Sequence, residues 1–184
     1  TPITLATFHL KDTIMSVDYF LKIDGIDGDS HDDKHANEIE IISYDWTESQ
    51  NGSFAQGGGG GAGKVHMEAF KFVMPTCKAT PKLMLFCASG KHIPSATLNC
   101  RKAGGDQQEF YSIKMSEIVV SKFRTMSHPS SDSVTQDDKV EGRPTDEICF
   151  SFGKIEFEYK PQKADGALDT PVKAGYNLVA NKTV

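Results

Sequence analysis

The sequence predicts a mainly β fold with one packed helix, in sheets that curl towards a barrel. Three observations carry this. Apolar residues alternate with period two along most of the chain, one short segment has both ends of a helix written into it, and one apolar run changes phase in its middle.

The alternation is clearest in Val17-Tyr19-Leu21-Ile23, Ile42-Tyr44-Trp46, Ala96-Leu98-Cys100 and Tyr111-Ile113-Met115. β-branched and aromatic residues at every second position describe strands with one face on a core and one in water. In the second run the opposite face is Ser43, Asp45 and Thr47, which is polar. In Ile148 to Tyr159 the apolar residues Ile148, Phe150 and Phe152 take even positions, and Ile155, Phe157 and Tyr159 take odd ones. A bulge or bend at Gly153 would let both halves face one core.

A helix is expected with Thr80 as N-cap, Pro81 at the first helical position, the run KLMLFCAS after it and Gly90 as the left-handed stop. It is too short to stand alone in water, so a stripe of Leu83, Phe86 and Cys87 must dock on the sheet. The polar stretch Ser127 to Asp146 contains two prolines and no apolar period, and reads as a long exposed loop.

A chain of 184 residues with 38% hydrophobic and 24% charged residues is sized for one folded domain, placed at 15–184. Residues 1–14 read as a leader, engineered or upstream, with Met15 as the natural start; they carry only Lys11 as a positive charge and lack the apolar core of a secretory signal. The net charge is -5, and the 20 basic residues are scattered among 25 acidic ones, which argues against a nucleic-acid partner. The longest apolar run, Leu83 to Ala88, is far short of the ~20 residues a membrane span needs. Cys77, Cys87, Cys100 and Cys149 form no C-x-x-C pair and read as buried free thiols.

Gly57 to Val65, GGGGGAGKV, imitates a nucleotide-binding loop through Gly58, Gly63 and Lys64. Position 65 is Val where that motif needs a Ser or Thr hydroxyl for magnesium, and Val65-Met67-Ala69 alternates like a strand instead of opening a helix. The stretch is therefore a glycine loop between strands, and no cofactor is expected. Asp27, Asp29, Asp33 and Glu38 fall at calcium-loop spacing, but Asp32 stands where such a loop needs Gly and no helix flanks it. His31 and His35 offer at most half a metal site. The acidic segment is expected to be a solvated turn with exposed histidines, and no catalytic or metal residue is assigned.

Several segments in order resemble one family, the haemolysin-coregulated proteins (Hcp) of the bacterial type VI secretion system. They are DYFLKIDGIDGDS, HANEIEIISYDW, GGGGGAGKV, TPKLMLFCASGKHIPSATLNCRKAGG and YKPQKADGALDTPVKAGYNLVANKTV. The resemblance implies a curled, barrel-like pair of β-sheets with one helix on the flank, similar to phage tail tube proteins, and no enzymatic activity. It implies six copies in a ring, rings stacked into the inner tube of a contractile machine, and effectors carried in the lumen. Partners would be further copies of the chain, the spike and sheath proteins of the machine, and the exported effectors; the protein would be cytoplasmic before firing and secreted afterwards.

On that reading Gly57, Gly58, Gly59, Gly60, Gly61, Gly63 and Lys64 belong to an extended loop reaching towards a neighbouring subunit or ring. Ser43, Asp45 and Thr47 are the candidate lumen-facing residues. The Ser127 to Asp146 loop is longer and more polar than the family leads one to expect, and residues 1–14 match nothing in it. The alternative is a monomeric β-barrel module that holds a small ligand or peptide in an enclosed apolar pocket.

Overall fold

The structure, a computed structural model, describes residues 17–50, 65–102, 107–127 and 143–184. The leader at 1–14, the glycine loop at 57–64 and most of the polar stretch before Asp146 lie outside the described residues.

The strands in chain order are β1 (Val17–Ile23), β2 (Ile39–Glu40), β3 (Ser43–Asp45), β4 (Glu48–Ser49), β5 (His66–Met67), β6 (Phe70–Pro75), β7 (His92–Lys102), β8 (Glu109–Met126), β9 (Thr145–Tyr159), β10 (Val172–Asn177) and β11 (Lys182–Thr183). The helix α1 (Thr80–Ser89) lies between β6 and β7. All pairings are antiparallel, in the order β11-β10-β9-β8-β7-β1-β2, with β6 and then β3 branching from β9. The long β9 thus serves two neighbours on one edge: β6 along its first half and β10 along its second.

This sheet curls without closing into a barrel. The nearest approach to closure is at residues 41–42, where the Ile41 N–H donates to Tyr19 O (3.0 Å) and the Ile42 N–H donates to Val73 O (2.8 Å), tying β1 to β6 through a single stretch of chain. The enclosed core holds Leu21, Phe70, Phe72, Leu98, Met115, Ile148 and Phe150 among others, each no more than 1% exposed. The expected inward residues Ala96, Leu98, Cys100, Ile113 and Met115 are all there. In the second run the fully buried position is Ile41 instead of Ile42, while Tyr44 and Trp46 pack on the core as expected.

The phase change expected at Gly153 is real, and it extends across three strands. In β8 the buried positions switch from Ile113 and Met115 to Ile118 and Val120, with Glu117 between them at φ 55°. In β7 they switch between Ile93 and Ala96. One left-handed residue in mid-strand reverses the pleat, and the strands on either side follow it so that each keeps its apolar side on the core. A second irregularity in β8, between Val120 and Lys122, shifts the register again and returns Phe123 to the inner side.

The helix begins one residue earlier than expected: Ala79 is the N-cap, and Thr80 is its first residue. The Thr80 hydroxyl accepts from the Cys77 N–H (3.1 Å) and donates to the carboxylate of Asp146 (2.6 Å), so it links the helix to β9 instead of capping. Gly90 closes the helix at φ 64°, Leu83 is fully buried, and Phe86 and Cys87 pack against the core. The far end of the expected long loop is also revised. Thr145 and Asp146 are strand residues with no exposure, because β9 begins there and pairs with β6 and β8 on both sides.

Candidate assembly surfaces

Beyond Gly153 towards the N-terminus of β9, the strands β3, β6, β9 and the last third of β8 form a four-stranded wall. Its inner side is Phe70, Phe72, Ile148 and Phe150. Its outer side runs in two rows, Ser43–Val73–Glu147–Arg124 and Asp45–Lys71–Cys149–Lys122, polar apart from Val73 and Cys149. Opposite charges meet along these rows: Lys71 Nζ lies 3.1 Å from Asp45 Oδ2, and Lys122 Nζ lies 2.6 Å from Glu147 Oε1. The Asp45 carboxylate raises the pKa of Lys71, and the Lys122 ammonium lowers that of Glu147. These pairs keep the wall hydrated and close to neutral.

Asp45 is exposed and Ser43 half-buried in these two rows, while Thr47, also exposed, lies beyond the end of β3. Among the described residues, neither the far edge of β3 nor that of β8 beyond Val119 pairs with another strand. Among the described residues each edge therefore offers backbone groups without a strand partner.

The predicted glycine loop, Gly57 to Lys64, lies outside the described residues, but its supports are visible. The two flanking strands β4 and β5 pair as Glu48↔Met67 and Ser49↔His66, and the Glu68 N–H donates to Thr47 O (2.9 Å). The residues after Lys64 therefore form a strand, as the alternation Val65-Met67-Ala69 implies, and not the helix a phosphate loop requires. Between this hairpin base and the β9–β10 ladder lies an open groove of ≈ 900 Å³ walled by Trp46, Met67, Phe157 and Tyr176, with Gln50 and Val65 at the ends that enter the loop. An open groove with polar residues along it differs from the enclosed dry pocket of a ligand-carrying barrel.

The acidic segment departs furthest from expectation. It is no solvated turn, because Ile26, Ser30 and His35 are buried and the segment folds over the outer face of β1. Under it lies Phe20, 3% exposed, stacked on His35 with ring centroids 4.2 Å apart and 6° between planes. Arg101 of β7 lies 4.7 Å from the same ring and is held by Asp18 (3.2 Å) and Asp32 (2.8 Å). Hydrogen bonds from the Arg101 guanidinium bring the Asp32 carboxyl down to about 2. Asp32, at the position where a calcium loop would need Gly, is instead the residue that anchors the loop to the sheet. The signal in the sequence is faint: Phe20 sits on the side of β1 that alternation assigns to water.

All four cysteines are free thiols, and only Cys100 is buried. Burial pushes its thiol up to about 11, so it is a packing residue and not a nucleophile. Among the described residues no group of acidic, His and Cys side chains is arranged to hold a metal, and no helix is long and apolar enough to cross a membrane.

Comparison with known proteins adds the following. Residues 20–159 match the family model described as type VI secretion system effector, Hcp. Protein hcp1 of Pseudomonas aeruginosa is 43% identical over 169 residues, 91% of this chain and 98% of that protein. A solved type six secretion system protein superposes with a TM-score of 0.80 at 26% identity, covering 92% of this chain and 100% of that one. Hcp1 from Salmonella typhimurium superposes with a TM-score of 0.68 at 32% identity, again over 92% of this chain and 100% of that one.

Proposed function

Because the chain belongs to the Hcp family of type VI secretion tube proteins, we propose that it is a ring subunit. Six copies close head to tail, rings stack into the inner tube of the machine, and effectors travel in the lumen. The observation that carries this reading is the four-stranded wall, with an outer side that is polar and edges on β3 and β8 that have no described strand partner. A closed ring needs a heterologous contact in which one surface of a subunit meets a different surface of the next. Pairing β3 of one copy with the free stretch of β8 on its neighbour meets that need and satisfies both rows of backbone groups.

In such a ring the rows through Ser43 and Asp45, together with Thr47, line a wet channel. The paired charges Asp45–Lys71 and Glu147–Lys122 give that channel a hydrated wall without strong net attraction, suited to cargo that must enter and leave. On this reading the glycine loop, Gly57 to Gly61 with Gly63 and Lys64, makes the contact with the next subunit or ring, where its glycines permit close backbone approach. Residues 15–184 act as one domain in this reading. No step of it calls for a catalytic residue or a cofactor; spike, sheath and effector proteins are the partners it requires, and the chain waits in the cytoplasm before it is exported.

Export is tested by following the chain in cells that carry the machine. It is expected in the culture medium of cells with an intact type VI system and absent when the system's sheath is deleted. Equal release from both strains would overturn the reading.

A further inference from the structure

His35 is 2% exposed, and each of its ring nitrogens faces a carboxylate from a different part of the fold. Nδ1 lies 2.9 Å from Glu38 Oε2 in its own loop, and Nε2 lies 3.4 Å from Glu109 Oε1 at the start of β8. The second contact is an ion-pair distance without hydrogen-bond geometry, and Nε2 otherwise has no partner. Phe20 of β1 stacks on the ring, and the backbone N–H of His35 donates to Asp32 Oδ1 (3.2 Å), which holds the residue in its loop.

The charges around it are therefore Glu38 and Asp32 from the loop, Glu109 from β8, Arg101 of β7 on the shared Phe20 ring, and Asp18 of β1 behind Arg101. A neutral imidazole has one N–H and can donate to only one of the two flanking carboxylates, leaving a lone pair against the other. An imidazolium donates to both.

We propose that His35 is a proton-operated latch that ties the segment 24–38 to β8. Protonated, it bridges Glu38 and Glu109; deprotonated, it keeps Glu38 and releases Glu109. The segment it holds leads directly into β2, the last strand of the main sheet path, and the Ser30 hydroxyl donates to Glu40 Oε1 of β2 (3.2 Å), so loosening the segment loosens that edge. The order is present while an imidazolium donates to both carboxylates and falls as rising pH removes its second N–H. An exported protein that passes between compartments meets such a change. The latch is a property of the single chain and does not depend on ring formation.

Hydrogen exchange of the amides of 24–38, corrected for intrinsic rates, tests it at about pH 5.5 and about pH 8, on either side of the ordinary histidine range. The full chain is expected to lose about tenfold protection in this segment at the higher pH, the size of one charge-assisted hydrogen bond. Glu109→Gln is expected to shrink that response, and His35→Gln to abolish it. No pH response in the parent chain would overturn the latch, and so would an undiminished response in either variant. Glu109 is partly exposed, so its variant decides the matter even if the His35 variant fails to fold.

Discussion

Glu117 and Gly153 face each other across β8 and β9, between the pairs Ser116↔Lys154 and Ile118↔Phe152, and a Cβ on residue 153 would run into Glu117 Oε2. The left-handed backbone at Glu117 drives its side chain over the glycine. The same Cβ would meet Glu117 Cβ at 3.1 Å and Val179 Cγ2 at 3.2 Å, so the far carboxylate can swing away but the crowding persists. Gly153→Ala is expected to cost about 1–2 kcal/mol. Glu117→Gly removes both the left-handed strain and the crowding atoms, and the pair is expected to be coupled. A double-mutant cycle by denaturant unfolding checks this, with an additive result against it.

Arg101 is buried between Asp18 and Asp32, so Arg101→Met removes the cation those two carboxylates share and is expected to destabilise by about 3 kcal/mol. The pH dependence has a definite sign. With its carboxyl held at about 2, against ~3.9 in an unfolded chain, Asp32 contributes stability that is complete above pH ~4 and fades as pH falls towards 2. Asp32→Asn should therefore be less stable than the parent at neutral pH, and the gap should close in that acid window. Urea midpoints measured from pH 7 down to 2 read it directly.

The strands and the phase change were legible because alternation of apolar residues is a local signal and β8 and β9 obey it on either side of Glu117. The helix was legible from Pro81 and Gly90, although its cap was misassigned, since Thr80 finds a better partner in Asp146, far away in sequence. The loop over β1 was not legible. Its burial depends on Arg101 and Glu109, which arrive from distant strands, and nothing near His35 in the sequence announces them. Ser43, Asp45 and Thr47 could be put on one side of a strand, but the partnership of Asp45 with Lys71 required the β3–β6 register.

Cys100 is 1% exposed with its thiol pushed up to about 11, whereas Cys77, Cys87 and Cys149 are half-buried. Under native conditions at pH 8, Cys100 should be the last of the four to react with a soluble disulfide reagent, at least tenfold slower than the fastest. Peptide mapping after timed labelling gives the order; early labelling of Cys100 would mean that the core opens locally.

Stiffening the glycine loop by Gly59→Pro with Gly61→Pro should weaken assembly while leaving the fold of the single chain intact. The β4–β5 base that carries the loop is separate from the core sheet. Circular dichroism should be unchanged while the concentration needed for assembly rises by about tenfold or more. Unchanged assembly would remove the loop from the contact.

The central claim is that the open edges of β3 and β8 close a ring of six. Native mass spectrometry of the purified chain tests it most directly. The predicted result is a dominant species at six times the 20.2 kDa protomer, and a chain that stays monomeric up to high concentration would contradict it.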